Sequence, residues 1–317
     1  MAQSRRSEPS LLSACATCHI WTLGLVLGRC SDTSNPQITG AVARVIAIAN
    51  QKGGVGKTTT AVNLAASLAV AERRTLLIDG DPQGNATSGV GVERGSFDAT
   101  YDVLLGNSTI ANARLRGVQF SRLDVLPATP DLAGAEVELV NAPGREGRMR
   151  AAVGAIRDDY DFILIDCPPS LGLITLNMLA AADTLLIPLQ CEYYALEGLS
   201  QLLNTVHLIQ RGVNPGLGIS GVLLTMYDSR LNLSRQVAAD ARDYFGSQVF
   251  DTVIPRNVRL AEAPSFGKPI VLYDVHSIGA QAYMAVAHEL IARESKAATT
   301  AIVPVSKSST EAQKAST

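Results

Sequence analysis

The apolar positions of this chain gather into short unbroken runs instead of alternating with polar ones. Seven such runs, at 44–50, 75–79, 123–127, 161–166, 184–188, 219–225 and 249–254, end in or run up against polar residues or proline. A strand with one wet face alternates; one covered on both faces reads as a continuous apolar run, as these do. Between the first two, Ala61, Leu64, Ala65, Leu68 and Ala69 recur at helical spacing and form one stripe. Runs of this kind alternating with helical stripes predict an α/β fold, a doubly wound and mostly parallel sheet with helices on both faces. Ligands in such sheets bind beyond the carboxyl ends of the strands, so the polar residues that follow each run are where chemistry is to be sought.

The pattern sets three segments apart. Residues 44–294 carry the runs and stripes with no Pro/Ser-rich linker between them and are expected to form one domain. Residues 1–43 read as a disordered extension, or as an overcalled start. Their apolar stretch, 11–28, imitates a secretory signal but is interrupted by Cys15, Cys18, His19 and Trp21, and Arg29 follows it. Cys15-Ala16-Thr17-Cys18-His19 matches the C-x-x-C-H haem-attachment pattern; in a flanking tail ahead of such a body we read the match as accidental. From Ser295 to Thr317 the chain turns to Lys, Ala, Ser and Thr without an apolar period, as a disordered tail does.

Composition narrows the function. The chain has 317 residues, 47% hydrophobic and 5% aromatic, with 27 Lys+Arg against 29 Asp+Glu and a formal net charge of -2. These values exclude fibrous and wholly disordered classes, and any contact with nucleic acid must come from a local patch. Five cysteines, three of them in the first thirty residues, do not make a disulfide framework, so the body reads as cytoplasmic. Cys167 and Cys191 are expected to be buried free thiols, and the four histidines show no ligand spacing for zinc.

The sharpest chemistry follows the first run, where Gln51-Lys52-Gly53-Gly54-Val55-Gly56-Lys57-Thr58-Thr59 leads directly into the striped helix. Glycines let successive backbone N–H groups curl around phosphate oxygens and the helix N-terminus adds its dipole. Lys57 supplies charge to the β/γ-phosphates and Thr58 a hydroxyl for Mg²⁺. The segment departs from the usual loop in having Gln51 where a glycine stands and a second lysine, Lys52, beside it.

With that loop the chain resembles the deviant Walker A class of P-loop NTPases, and within it the ParA/Soj chromosome-partitioning ATPases. Segments 79–89, 166–170, 190–198 and 254–265 carry the resemblance across the whole body. It implies Mg²⁺-dependent ATP hydrolysis coupled to dimerisation, with residues Lys52 to Thr59 binding ATP. Lys57 would serve its own subunit's phosphates and Lys52 would reach the nucleotide of the partner. Asp81 matches the residue that orients the attacking water and Asp166 the Walker B acid, so Thr58, Asp81 and Asp166 form the implied metal set; Asp79 has no firm role. Pro255 and Asn257 are candidates for the adenine. The resemblance further implies a homodimer in the ATP state that binds DNA without sequence preference through Arg230 and Arg259. A ParB/Spo0J-type centromere-binding partner would stimulate hydrolysis, and the chain would associate with the nucleoid and not with a membrane. From charge alone, the six basic and five acidic residues between Asp228 and Lys268 read as a solvated face. Tyr193 and Tyr194 are expected in packing. A MinD-type positioning ATPase, which needs a terminal amphipathic membrane helix, and a non-hydrolysing nucleotide-switched adaptor are the alternative readings.

Overall fold

The computed structural model describes residues 42–302 except Arg94, Tyr193 and Tyr194, and leaves the side chains of 195–201 and 297–302 undescribed. The expectations for the first 41 residues, for Tyr193 and Tyr194 and for the chain beyond Ile302 lie outside the described residues.

Six parallel strands form one sheet in the order β3-β2-β4-β1-β5-β6, with β1 Arg44–Ile48, β2 Thr75–Asp79, β3 Leu123–Leu126, β4 Phe162–Asp166, β5 Thr184–Gln190 and β6 Gly218–Thr225. The order reverses at β1, which lies between β4 and β5. Their continuous apolar character has a direct cause. Val45, Ala47 and Ala49 face one core, while Ile46 and Ile48 face the other; Ile163 and Ile165 divide from Phe162 and Leu164 in the same way. Each strand keeps its period of two, but both faces are dry.

One face is covered by α1 (Lys57–Val70), α10 (Val258–Glu262), α11 (Ile270–Tyr273) and α12 (Ile278–Ile302). The predicted stripe of α1 is fully packed, and the buried Thr60 hydroxyl meets Tyr283 Oη of α12 at 3.2 Å. The chain between β2 and β4 forms α2 (Asn85–Gly89), α3 (Thr100–Leu105), α4 (Ile110–Ala113), α5 (Leu132–Glu138) and α6 (Arg148–Gly154), and α7 (Leu173–Ala181), α8 (Ala195–Arg211) and α9 (Asn232–Phe245) complete the set. Residues of α3, α5, α6, α7, α8 and α9 build the core on the opposite face.

Two elements differ from the sequence pattern. The run at 249–254 does not form a strand: it bridges β6 at Val249 and donates to it from Phe250 N and Ile254 N, onto the Val222 and Leu224 carbonyls, without a continuous ladder. Between those two bonds the ladder is broken, and the Asp251 and Thr252 N–H groups donate to the Glu289 carboxylate of α12 at 2.9 and 3.0 Å. Helix α12 also runs past Glu294 to Ile302. No apolar period is needed there, because extending a formed helix through Lys-Ala-Ala costs little.

Glycine at 221 is required by close approach. A Cβ there would lie 2.6 Å from both the Gln248 carbonyl oxygen and the Phe250 ring. Gly221→Ala is therefore expected to lower stability by about 1–3 kcal/mol through overpacking, seen as a lower urea midpoint at unchanged m-value.

Candidate functional site

The loop after β1 turns at Gly54 (φ 75°) and Gly56 (φ 87°), both left-handed positions that favour glycine. Helix α1 then starts at Lys57 with no side-chain cap and no acid in its first turn. Its first N–H groups are left for a ligand, the arrangement that suits an anion. Space beside Gly53 and Gly54 is open. The loop is fixed from several sides: Thr225 Oγ1 at the end of β6 donates to the Val55 carbonyl (2.9 Å), Lys52 N donates to Asn50 Oδ1 (3.0 Å), Asn50 Nδ2 to the Pro188 carbonyl (2.8 Å), and Gln51 Nε2 to Thr205 Oγ1 (3.2 Å). The shape of the cradle is thus set by the chain itself.

The two lysines differ in placement. Lys57 is buried, with its ammonium donating to the Lys52 carbonyl at 3.1 Å. Burial lowers its pKa, opposed by the charges of Asp166 and Asp81. The Lys52 ammonium instead lies 3.7 Å from Glu192 Oε2, with its side chain 34% exposed. One cation lies within the cradle and the other stays at its rim.

Carboxylates converge below the loop. Asp79 and Asp166 are register partners on β2 and β4, and both are fully buried. Asp79 accepts from Thr87 N (2.8 Å), Thr87 Oγ1 (2.7 Å) and Asp81 N (3.1 Å). Burial still pushes it up to about 6. Asp166 is more exceptional. Neither of its oxygens has a hydrogen-bond partner of ordinary geometry; the Thr58 hydroxyl favours its charged form without closing such a bond, while burial and then the neighbouring Asp79 push it well above the usual carboxylate range. A buried, partnerless carboxylate is costly unless a cation or its water shell meets it. With a hydroxyl and a helix N-terminus beside it, this donor set of hard oxygens fits Mg²⁺. Asp81 is half-buried in the turn after β2, where its Oδ1 accepts from Gln83 N at 2.9 Å. Its charge acts on both Lys57 and Asp166.

Loop, lysines and acids therefore meet at the carboxyl end of the sheet. Pro255 bridges to Tyr227, and Asn257 lies just beyond, its Oδ1 used as the N-cap of α10, accepting from Arg259 N at 2.7 Å. The same bridge sets the two arginine-bearing segments side by side. Both arginines have partners in their own chain: Arg230 grips Asp228 through two bonds of 2.9 and 2.7 Å, and Arg259 meets Glu262 at 2.9 Å and Asp274 at 3.7 Å. Cys167 and Cys191 are buried free thiols; burial pushes Cys191 up to about 11 and Cys167 further still. The sequence pattern did not single out Thr87, Thr225 or Glu192. Thr225 ends an apolar run, which is a usable signal; Thr87 and Glu192 give none without the fold.

Residues 43–219 match the family described as an AAA domain. The chain is 59% identical over 254 residues to the chromosome partitioning protein ParA of Myxococcus xanthus, covering 80% of this chain and 89% of that one. It is 56% identical over 252 residues to the sporulation initiation inhibitor protein Soj of Bacillus subtilis, covering 79% of this chain and 99% of that one. Among solved structures it is similar to cobyrinic acid a,c-diamide synthase from Mycobacterium smegmatis with bound ATP analogue and magnesium, at 39% identity and TM-score 0.71, covering 81% of this chain and 97% of that one. It is also similar to the cell division ATPase MinD of Pyrococcus furiosus, at 27% identity and TM-score 0.64, covering 79% and 99%.

Proposed function

The chain belongs to the ParA/Soj family of chromosome-partitioning ATPases, and from that premise we propose that two copies close around ATP and Mg²⁺, hold DNA while paired, and separate on hydrolysis. The observation that carries this reading is the unequal placement of the two loop lysines. A triphosphate in the cradle meets one buried ammonium, Lys57, whereas Lys52 stands at the rim beside Glu192. Several phosphate charges need more than one cation once water is excluded, and a rim lysine from each protomer can supply it to the other.

In this reading the backbone from Gly53 to Thr59 and Lys57 hold the triphosphate, Pro255 and Asn257 contact the adenine, and Asp81 orients the attacking water. Thr58 and Asp166 would hold Mg²⁺, with Asp81 close by; the ion, when bound, screens charge across the phosphate oxygens and the leaving group. Asp79, anchored by Thr87, keeps the Asp81 turn in place. Arg230 and Arg259 would contact DNA phosphates by leaving Asp228 and Glu262, and a ParB/Spo0J-type protein would speed hydrolysis at the nucleoid. Among the described residues no helix is long and apolar enough to cross a membrane.

The deciding experiment is dimerisation. Lys52→Ala is expected to bind ATP as a monomer and to stay monomeric at ATP concentrations that pair the wild type, measured by analytical ultracentrifugation. Pairing at wild-type concentrations would remove the role across the interface. A second expectation concerns DNA. Arg230→Glu should weaken ATP-dependent binding to duplexes of any sequence and flatten the salt dependence by about one unit of log–log slope per lost phosphate contact, about two per dimer. Anisotropy titrations over a salt series measure this, and an unchanged slope would place the DNA elsewhere.

A further inference from the structure

Glu192 lies just beyond β5, where three parts of the chain meet. Its Oε1 accepts from Gln190 Nε2, the last residue of that strand, and lies 3.9 Å from Arg256 Nη2; its Oε2 lies 3.7 Å from Lys52 Nζ. The backbone of Lys52 is partnered on both sides. The Lys52 N–H is held by Asn50 and its carbonyl by the Lys57 ammonium. Only the side chain of Lys52 can change partner, and within one protomer the acid it meets is Glu192.

We propose that Glu192 is a positioning residue for Lys52, holding the ammonium at its own loop in the unpaired protomer and yielding it to the partner's triphosphate when the ATP pair forms. This rests on the reading that Lys52 acts across the dimer, and it adds what that lysine does before pairing. The contact has the strength such a role requires. Both side chains are partly exposed, at 34% for Lys52 and 47% for Glu192, and an ion pair of that kind is weak and screened by salt. A triphosphate carries more charge than one carboxylate and presents it in a drier site, so it wins the exchange. Glu192 therefore sets the ATP concentration at which pairing occurs; it does not forbid pairing. Gln190 and Arg256 keep the carboxylate in place after the lysine leaves, so that the contact can re-form when the dimer separates.

The test has two readouts on the full chain. In the first, the nucleotide-free protein is acetylated with an N-hydroxysuccinimide ester and the labelling rate of Lys52 is compared, by peptide mass spectrometry, with that of the exposed Lys268. Glu192→Gln is expected to raise the Lys52/Lys268 ratio about two- to fivefold, the range of an exposed ion pair, while Glu192→Asp, which keeps the charge, stays close to wild type. In the second, dimerisation is titrated with a non-hydrolysable ATP analogue. Because each dimer releases two such contacts, Glu192→Gln should tighten the dimer about four- to twenty-fivefold, with less gain at high salt and unchanged analogue binding to the monomer. An unchanged labelling ratio, or a dimer no tighter than wild type, overturns the proposal. If Lys52→Ala dimerises normally, the cross-dimer role of the lysine falls and the exchange falls with it. If Lys52→Ala is monomeric while Glu192→Gln labels and pairs like wild type, only the role of Glu192 falls.

Discussion

Asp81→Ala is expected to bind ATP with wild-type affinity and to turn it over about a hundred- to ten-thousandfold more slowly, the range lost when a positioned acid–base group is removed. The side chain is placed for the reaction and not for binding. Its turn is fixed at both ends, by Asp81 N on Asp79 Oδ1 and by Gln83 N on Asp81 Oδ1. Its second carboxylate oxygen has no partner among the described residues, and its charge acts on Lys57 and Asp166. None of the loop amides that would hold the triphosphate depends on it. Truncation should then appear in kcat, with KM and the affinity for a non-hydrolysable analogue preserved. Steady-state turnover and analogue titration on the same preparation check this. Turnover within tenfold of wild type would remove Asp81 from the water, and a parallel loss of analogue affinity would move its role to the metal or the phosphates.

What could be read from the sequence was what local chemistry determines. A run such as Phe162 to Ile165 has no polar residue to turn outward, so it must lie between two layers, and β4 does. The glycines at 54 and 56 need positive φ, and the lysine beside the second opens a helix, so the cradle was legible as well. What escaped depends on partners distant in the chain. Residues 249–254 look like a further strand, yet Glu289, close by only in the fold, takes the Asp251 and Thr252 N–H groups in the middle of the run, where the ladder with β6 breaks. Asp79 ended the second run with no firm role. The structure makes it the anchor of the Asp81 turn: one oxygen accepts from Asp81 N, while the other is held by a threonine eight positions away whose hydroxyl also accepts from Ala128 N. Arg230 and Arg259 stand out as exposed basic residues with Asp228 and Glu262 near them in sequence, but that these acids and the distant Asp274 hold them is seen only in the fold. Motif and strand were written in neighbouring residues; the electrostatic setting of each side chain was written in the fold.

Lys57→Ala should abolish the stabilisation that ATP gives the protein, and the size of the effect follows from where the ammonium is held. Burial already disfavours its charged form, and Asp166 and Asp81 draw the other way. The charge is thus kept in a dry site with its ammonium fixed on a loop carbonyl 3.1 Å away. A triphosphate entering the cradle exchanges water for this ordered cation, and charge-assisted bonds of that kind contribute about 1.5–3 kcal/mol each. Two of them lost together correspond to about two to four orders of magnitude in affinity. At an ATP concentration near a hundred times the wild-type Kd, binding stabilises the wild type by about 2.7 kcal/mol. The same concentration would stabilise a variant with hundredfold weaker affinity by only about 0.4 kcal/mol. A thermal melt with and without Mg²⁺-ATP should therefore show a clear upward shift for wild type and almost none for Lys57→Ala, while Lys52→Ala, whose lysine stands at the rim, keeps most of the monomer's shift. If the two variants lose the shift equally, the distinction between an inner and an outer cation fails, and with it the reason for two copies to meet around the nucleotide.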